Sequence, residues 1–244
     1  MHYVEFLPSG LISNYIEAFW KAGGNSTQPV VEKILADGCV DIIFNLGNDC
    51  KTDNGAFVMQ SEKIYFVGTM TTYKETIMDS DTNLFGVRFK PGGFSAFHKF
   101  SSFHELTNQT VELEKSFHFD LKKISSNPPE YLNSYFASRL NSENSFLLEI
   151  VNTIQKHNGQ IKVERLARQH YTTVRQLERS FKQYIGISPK EFISVVRYQC
   201  TMAALQNKKP GQSLLSIAIE CGYYDHAHLT NELTRYNGVA PSLI

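Results

Sequence analysis

Hydrophobic and polar positions follow two rhythms along the chain. In the first half, the segments 40–46, 63–67, 73–78 and 84–89 are short, β-branched and aromatic, with turn residues between them. Such segments form strands. Apolar residues in pairs four apart, Leu11 with Tyr15 and Ile12 with Ile16, predict a short helix over 11–19, and another short helical piece follows Pro91-Gly92-Gly93. Asn127-Pro128-Pro129 and the polar run 141–145 mark a boundary, with a helix over 129–140 expected to bridge the halves. From Phe146 onward the apolar spacing becomes helical throughout. One amphipathic helix is stopped by Asn158-Gly159, and a longer one over 189–205 opens at Pro189 and ends before Lys208-Lys209-Pro210-Gly211.

The helical half contains a repeat. Leu166-Ala167 matches Ile217-Ala218 at an offset of 51, whereas Leu177, Phe181, Tyr184, Gly186 and Pro189 match Leu229, Leu233, Tyr236, Gly238 and Pro241 at an offset of 52. One residue has entered the turn of the second copy. In each copy a short helix with a small residue leads through a tight turn to a helix capped by Thr173 or Asp225, which is the plan of a helix-turn-helix.

Within the first copy, Val174, Leu177, Phe181 and Tyr184 recur at spacings of three and four and are expected to face inward. Arg175, Glu178, Arg179 and Lys182 then lie on the opposite face. Arginine pairs bidentately with guanine O6 and N7 and glutamate accepts from cytosine N4, so this face has the chemistry of a major-groove reader. The aligned positions of the second copy are Ala227, Thr230, Asn231 and Thr234, without formal charge, flanked by His226, His228 and Arg235. The first copy is expected to supply most base contacts. The second adds phosphate contacts and an adenine contact from Asn231, with Thr230 as a further reader. Thr172, Thr173 and Lys182 join the flanking set.

Charge sharpens this division. The net charge is zero, from 24 Lys and Arg against 24 Asp and Glu, but residues 146–244 carry 12 basic and 7 acidic side chains, whereas 1–145 carry 12 basic and 17 acidic. Only the C-terminal unit suits a polyanion. Of 17 Phe, 14 lie at or before Phe136, which predicts an aromatic core or a lined cavity in the first half, the core reading being preferred. No run approaches the roughly 20 apolar residues of a membrane span, and the N-terminus lacks a secretory pattern, so a cytoplasmic location is expected. Cys39, Cys50, Cys200 and Cys221 have no metal or disulfide spacing. Cys39 in Asp37-Gly38-Cys39-Val40-Asp41 reads as a structural thiol, Gly92-Gly93 beside Arg88 and Lys90 as a plain turn ahead of an anion nest, and His226 with His228 as no metal site. No catalytic constellation or cofactor fingerprint is present, so no enzyme activity and no cofactor are expected.

The C-terminal hundred or so residues resemble the DNA-binding domain of AraC/XylS-type bacterial transcription regulators. The match runs through Leu166-Ala167, Arg175, Leu177, Arg179, Phe181-Lys182, Gly186-Ile187-Ser188-Pro189, Arg197, Ile217-Ala218, Gly222-Tyr223-Tyr224-Asp225, His228-Leu229 and Gly238-Val239-Ala240-Pro241. The resemblance implies two helix-turn-helix units on one connecting helix, entering successive major-groove segments, with Arg175, Glu178 and Arg179 as base readers and Arg197 among the flanking contacts. This chain departs from the family at Asn231, Leu233 and Thr234. Residues 35–47 and 86–93 resemble a sensor-like domain found on such regulators, which implies a small β-rich barrel that binds an effector or dimerises. The expected fold class is therefore α+β, with a barrel-like domain over 1–120, a helical linker over 121–145 and an all-α DNA-binding domain over 146–244, its helix-turn-helix units at 163–185 and 214–237. The expected function is sequence-specific transcription regulation on double-stranded DNA. A small-molecule effector, a second copy of the chain and RNA polymerase are the further partners, and no membrane is involved. The alternative is an enzyme or small-molecule-binding protein with the helical half as an interaction module.

Overall fold

Ten strands precede eight helices in the computed structural model, which describes residues 2–24, 26, 28–98, 102–113, 117–141 and 145–239. The strands are β1 (His2–Phe6), β2 (Ile16–Gly23), β3 (Val30–Ile34), β4 (Val40–Asn45), β5 (Cys50–Thr52), β6 (Phe57–Met59), β7 (Ile64–Val67), β8 (Lys74–Met78), β9 (Asn83–Phe89) and β10 (Thr110–Glu112). Six of them form one antiparallel sheet in the order β1-β2-β9-β4-β7-β10, and β3–β8 and β5–β6 form two ribbons. Side chains alternate across the sheet as a pleated strand requires. Val40, Ile42, Phe44, Phe85, Val87 and Phe89 enter an aromatic core on one face. Asp41, Ile43, Leu84 and Arg88 point to the other, where the ribbons close over.

The strands expected over 40–46, 63–67, 73–78 and 84–89 are β4, β7, β8 and β9. The helix expected over 11–19 is absent: Gly10–Asn14 is a 3-10 turn, and Ile16–Gly23 is strand β2. This strand is covered on both faces, leaving only Glu17 and Lys21 exposed, and a strand buried on both sides loses the alternation that identifies it. The helical piece after Pro91 is a short 3-10 turn, Gly93–Ala96.

Helices α1 (Leu121–Ser126) and α2 (Pro128–Ala137) follow. Their Ile124, Leu132, Tyr135 and Phe136 pack with Phe19, Phe44 and Phe89, so they cover the outer face of the sheet. The aromatic-rich first half thus makes both a core and, on the opposite face, a cavity.

The second half is α3 (Ser145–Lys156), α4 (Val163–Gln169), α5 (Val174–Tyr184), α6 (Pro189–Gln206), α7 (Leu214–Glu220) and α8 (His226–Asn237). Helix α6 starts in a full capping box, with Ser188 and Glu191 each accepting from the other's backbone N–H, and Pro189 occupies the first turn. Phe192, Val195, Val196 and Tyr198 of α6 are shared by both repeats: Leu166, Leu177 and Phe181 pack on one part of the core, Ile217, Leu229, Leu233 and Tyr236 on another. Full burial of each such side chain contributes about 1.5–3 kcal/mol, which fixes both repeats to the same rod. Ala36 and Met70 of the strand-rich half lie in this same core.

Candidate functional site

Helix α5 begins where Thr173 accepts from the backbone N–H of Gln176 at 3.1 Å while the Gln176 side chain accepts from the Thr173 N–H. This reciprocal pair holds the first turn rigid and leaves the amino-terminal end open to solvent. Leu177 and Phe181 are buried, and Arg175, Arg179 and Lys182 are exposed, with Glu178 half-exposed beside them. Val174, the first residue of the helix, does not face inward as expected but is 38% exposed. Thr172 sends its hydroxyl to the Gln176 side chain at 3.1 Å, so it supports the cap.

Helix α8 repeats the design. Asp225 accepts from the His228 N–H at 2.8 Å, Leu229, Leu233 and Tyr236 are buried, and His226, Ala227, His228, Asn231, Thr234 and Arg235 are exposed. The Thr230 hydroxyl is directed back to the His226 carbonyl at 2.8 Å and is only partly exposed. The Arg235 guanidinium lies over the Tyr236 ring, 5.3 Å from its centroid.

Arg197 departs from its expected place at the DNA backbone. It lies inside the second unit, with Nη2 donating to Glu232 Oε1 at 2.8 Å and Nε to Oε2 at 3.3 Å, and its guanidinium covers the Tyr223 ring. Side-chain exposures of 17% and 15% make this a largely buried pair that ties α6 to α8. Its charge is spent on Glu232.

Two tyrosines have no role assigned from the sequence. Tyr171 and Tyr224 are 99% and 91% exposed in the turns that precede α5 and α8. Tyr171 has φ of 51°, a left-handed conformation that the repeat assigns in its second copy to Gly222, φ 80°. The signal available was a bulky residue aligned with a glycine inside a tight turn.

The strand-rich half contains a cavity of about 100 Å³ between the sheet and the ribbons. Trp20, Ile43, Met59, Met70, Met78 and Leu84 are among its mostly apolar walls. Trp20 lies directly across from Gly86, where a Cβ would stand 2.0 Å from the indole; only glycine admits the ring there. The indole N–H donates to Asp41 Oδ1 at 2.7 Å, and Tyr3 of the edge strand stacks on the indole at 6.1 Å. Arg88 Nε stands 3.4 Å from Asp41 and 3.5 Å from Asp37. At the other end Lys74 Nζ meets Asp53 Oδ1 at 2.7 Å and donates to Thr110 at 3.0 Å. Burial lowers the Lys74 pKa, with Asp53 opposing, and burial raises that of Asp37 despite Arg88. Arg88 is thus held by carboxylates, and Lys90 donates to the Ser13 carbonyl at 2.8 Å. Burial pushes the Cys39 thiol well above its ordinary value, which keeps it unreactive.

One connection joins the cavity to α5 and α8. From the end of β7 to the first residue of β8, Met70 and Lys74 line the cavity while Thr69, Thr72 and Tyr73 reach the helical half. Thr69 donates to the Ile185 carbonyl at 2.5 Å, just past α5, where Phe103 N–H also donates to Gln183 and Thr107 to Gly186. Thr72 donates to the Arg235 carbonyl at 3.3 Å, Lys33 to that of Asn237 at 3.1 Å, and the Tyr73 ring closes on Gly238 at the end of α8. Terminal carbonyls of a helix lack partners within it. The strand-rich half supplies them to both α5 and α8, and leaves their outer faces open.

Comparison with known proteins places both halves. Residues 166–243 match a family described as a helix-turn-helix domain, and residues 4–112 match a domain of unknown function, DUF6597. An HTH-type transcriptional regulator of Haemophilus influenzae is 33% identical over 93 residues, 38% of this chain and 30% of that protein. The match thus spans less than a third of that relative. Among solved structures, an apo form of ToxT from Vibrio cholerae is 11% identical, covers 92% of this chain and 96% of its own, and has a TM-score of 0.50, a likeness of fold over both halves. An AraC-type regulator from Chromobacterium violaceum is 24% identical over 40% of this chain and 87% of its own, with a TM-score of 0.37. The C-terminal part of the chain is therefore an AraC-type helix-turn-helix domain, carried behind a domain of unknown function.

Proposed function

We propose that the chain binds a specific double-stranded DNA site through α5 and α8 and regulates transcription there, under control of a ligand in the N-terminal cavity. The observation that carries this is the pair of capped helices with bared polar faces, both anchored to α6 by one core. Arg175 and Arg179, a turn apart on α5, suit guanine edges, and Glu178 between them suits cytosine. Asn231 suits adenine, with Thr230 contributing only when its hydroxyl leaves the His226 carbonyl. Thr172, Thr173, Lys182, His226, His228 and Arg235 flank these and fall to phosphates, and Tyr171 joins them. Control follows from the connection 69–74: an occupant of the cavity presses on Met70 and Lys74 and so alters the seats of both helix ends. It changes DNA affinity only as far as it binds one arrangement more tightly than another. A second copy of the chain and RNA polymerase belong to the same reading as further partners.

The test is selection of bound genomic fragments with the full chain, followed by fluorescence anisotropy on the selected site. Arg179→Ala should weaken binding by about 1–3 kcal/mol and relax preference at one base pair, and Asn231→Ala should cost less. If Arg179→Ala binds as the parent does while Asn231→Ala abolishes binding, the roles of the two helices are reversed. Failure to enrich any duplex refutes the proposal.

A further inference from the structure

We infer that the occupant of the cavity is an uncharged molecule about the size of one six-membered ring, with an acceptor and a donor side by side, as in a carboxamide or lactam. This rests on the reading of the cavity as the effector site.

Size sets the first limit. A dry apolar cavity of about 150 Å³ takes up benzene, and the space here is about 100 Å³, widened at its rim by the part-exposed Tyr3. A long acyl chain does not fit without displacing a ribbon.

Charge sets the second. Among the described residues, Arg88 and Lys74 at the cavity are paired with Asp41 and Asp53, and burial raises the pKa of the third carboxyl, Asp37, 3.5 Å from Arg88. Neither cation is free. A carboxylate entering this space would be desolvated beside Asp41 and Asp53 with no positive group left to pair with it, and burying an unpaired charge is costly. A cation would meet Arg88 and Lys74 in the same confined space.

Hydrogen bonding sets the third. Among the described residues Arg88 donates no side-chain hydrogen bond, and its Nε has no hydrogen-bond partner; its carboxylates lie at 3.4 and 3.5 Å. Its guanidinium is left to donate to an oxygen. Asp41 accepts from the Trp20 N–H through one oxygen, and among the described residues no hydrogen bond reaches the other. An N–H of the ligand can donate there. A neutral amide on a ring supplies both groups at once, with its body against Trp20 and Met59.

The experiment holds the body constant and varies the charge. Benzamide, benzoate and benzylammonium, and the corresponding cyclohexane carboxamide, carboxylate and methylammonium, are titrated into the full chain by calorimetry. At least one carboxamide should bind at least about tenfold more tightly than its charged partners. Ala22→Leu, which fills the cavity from β2, should abolish that binding while leaving the far-ultraviolet spectrum unchanged. Asp41→Asn should narrow the gap between carboxamide and carboxylate. Preferred binding of a carboxylate or of an ammonium compound overturns the ligand class and leaves the effector site standing. Binding unaffected by Ala22→Leu, or no binding by any of the six, overturns both.

Discussion

Replacing Arg197 by Met separates two roles for one arginine. In the structure Arg197 makes two hydrogen bonds to Glu232, at 2.8 and 3.3 Å, and covers the Tyr223 ring at 4.9 Å. Methionine keeps the stem and removes the charge, so the Glu232 carboxylate stays with 15% exposure and no partner. Breaking a fully buried pair costs about 3–5 kcal/mol; with this residual solvent access about 2 kcal/mol is expected. For a chain of this length each kcal/mol lowers Tm by about 2–4 °C, so Arg197→Met should melt about 4–8 °C lower. Arg197→Met combined with Glu232→Met removes the stranded charge and should recover most of the loss. The second measurement is DNA affinity against salt at a temperature where both proteins are folded. Each lost phosphate contact reduces the slope of log K against log salt by about 0.9. The slope should not change. A slope reduced by about one, with Tm unaltered, would refute the inward assignment and return Arg197 to the DNA backbone.

Two further substitutions probe the turns and caps. Tyr171→Gly relieves a left-handed backbone strain of about 1–3 kcal/mol against a glycine entropy cost of about 0.5–1 kcal/mol, so Tm should rise. The same change removes an exposed hydroxyl at the entrance to α5 and should weaken DNA binding about three- to tenfold by anisotropy; a rise in Tm with full affinity denies Tyr171 a contact. Ser188→Ala breaks the α6 capping box and should cost about 1 kcal/mol at neutral pH in urea titrations. Burial raises the Glu191 pKa, but the two hydrogen bonds from Ser188, with the charges of Arg235 and His104, together outweigh it and hold the carboxyl below its ordinary 4.5. A carboxyl with a depressed folded pKa stabilises above its unfolded value and loses that contribution as pH falls through the folded one. The penalty of Ser188→Ala should therefore shrink below pH 4.5, and a constant penalty would contradict the coupling.

What was legible from sequence depended on how each residue's environment is encoded. Strands β4 and β9 were readable because Val40, Ile42, Ile43, Phe44, Phe85, Val87 and Phe89 make short β-branched and aromatic runs bounded by turn residues. Strand β2 was not, since Ala18, Phe19, Trp20 and Ala22 are all buried and the exposed Glu17 and Lys21 happen to stand a helical turn apart. The caps at Thr173 and Asp225 and the inward Leu177 and Phe181 follow from local spacing alone. Arg197 could not be placed that way. Its partner Glu232 lies 35 positions away, and a guanidinium bound for phosphate has the same letter as one bound for a buried carboxylate. Residues 68–72 read only as turn residues between two strands, because their threonines act on backbone carbonyls, which have no sequence signature.

Ala36 and Met70 sit among the side chains of the helical half, with Ile34 and Leu35 against them, so the hydrophobic interior does not respect the point where strands give way to helices. Cutting the chain there would leave a raw, greasy scar on each fragment. Heat should consequently melt the intact molecule in one cooperative step, and anything that loosens the strand-rich half will be felt at once as softness in the helical half.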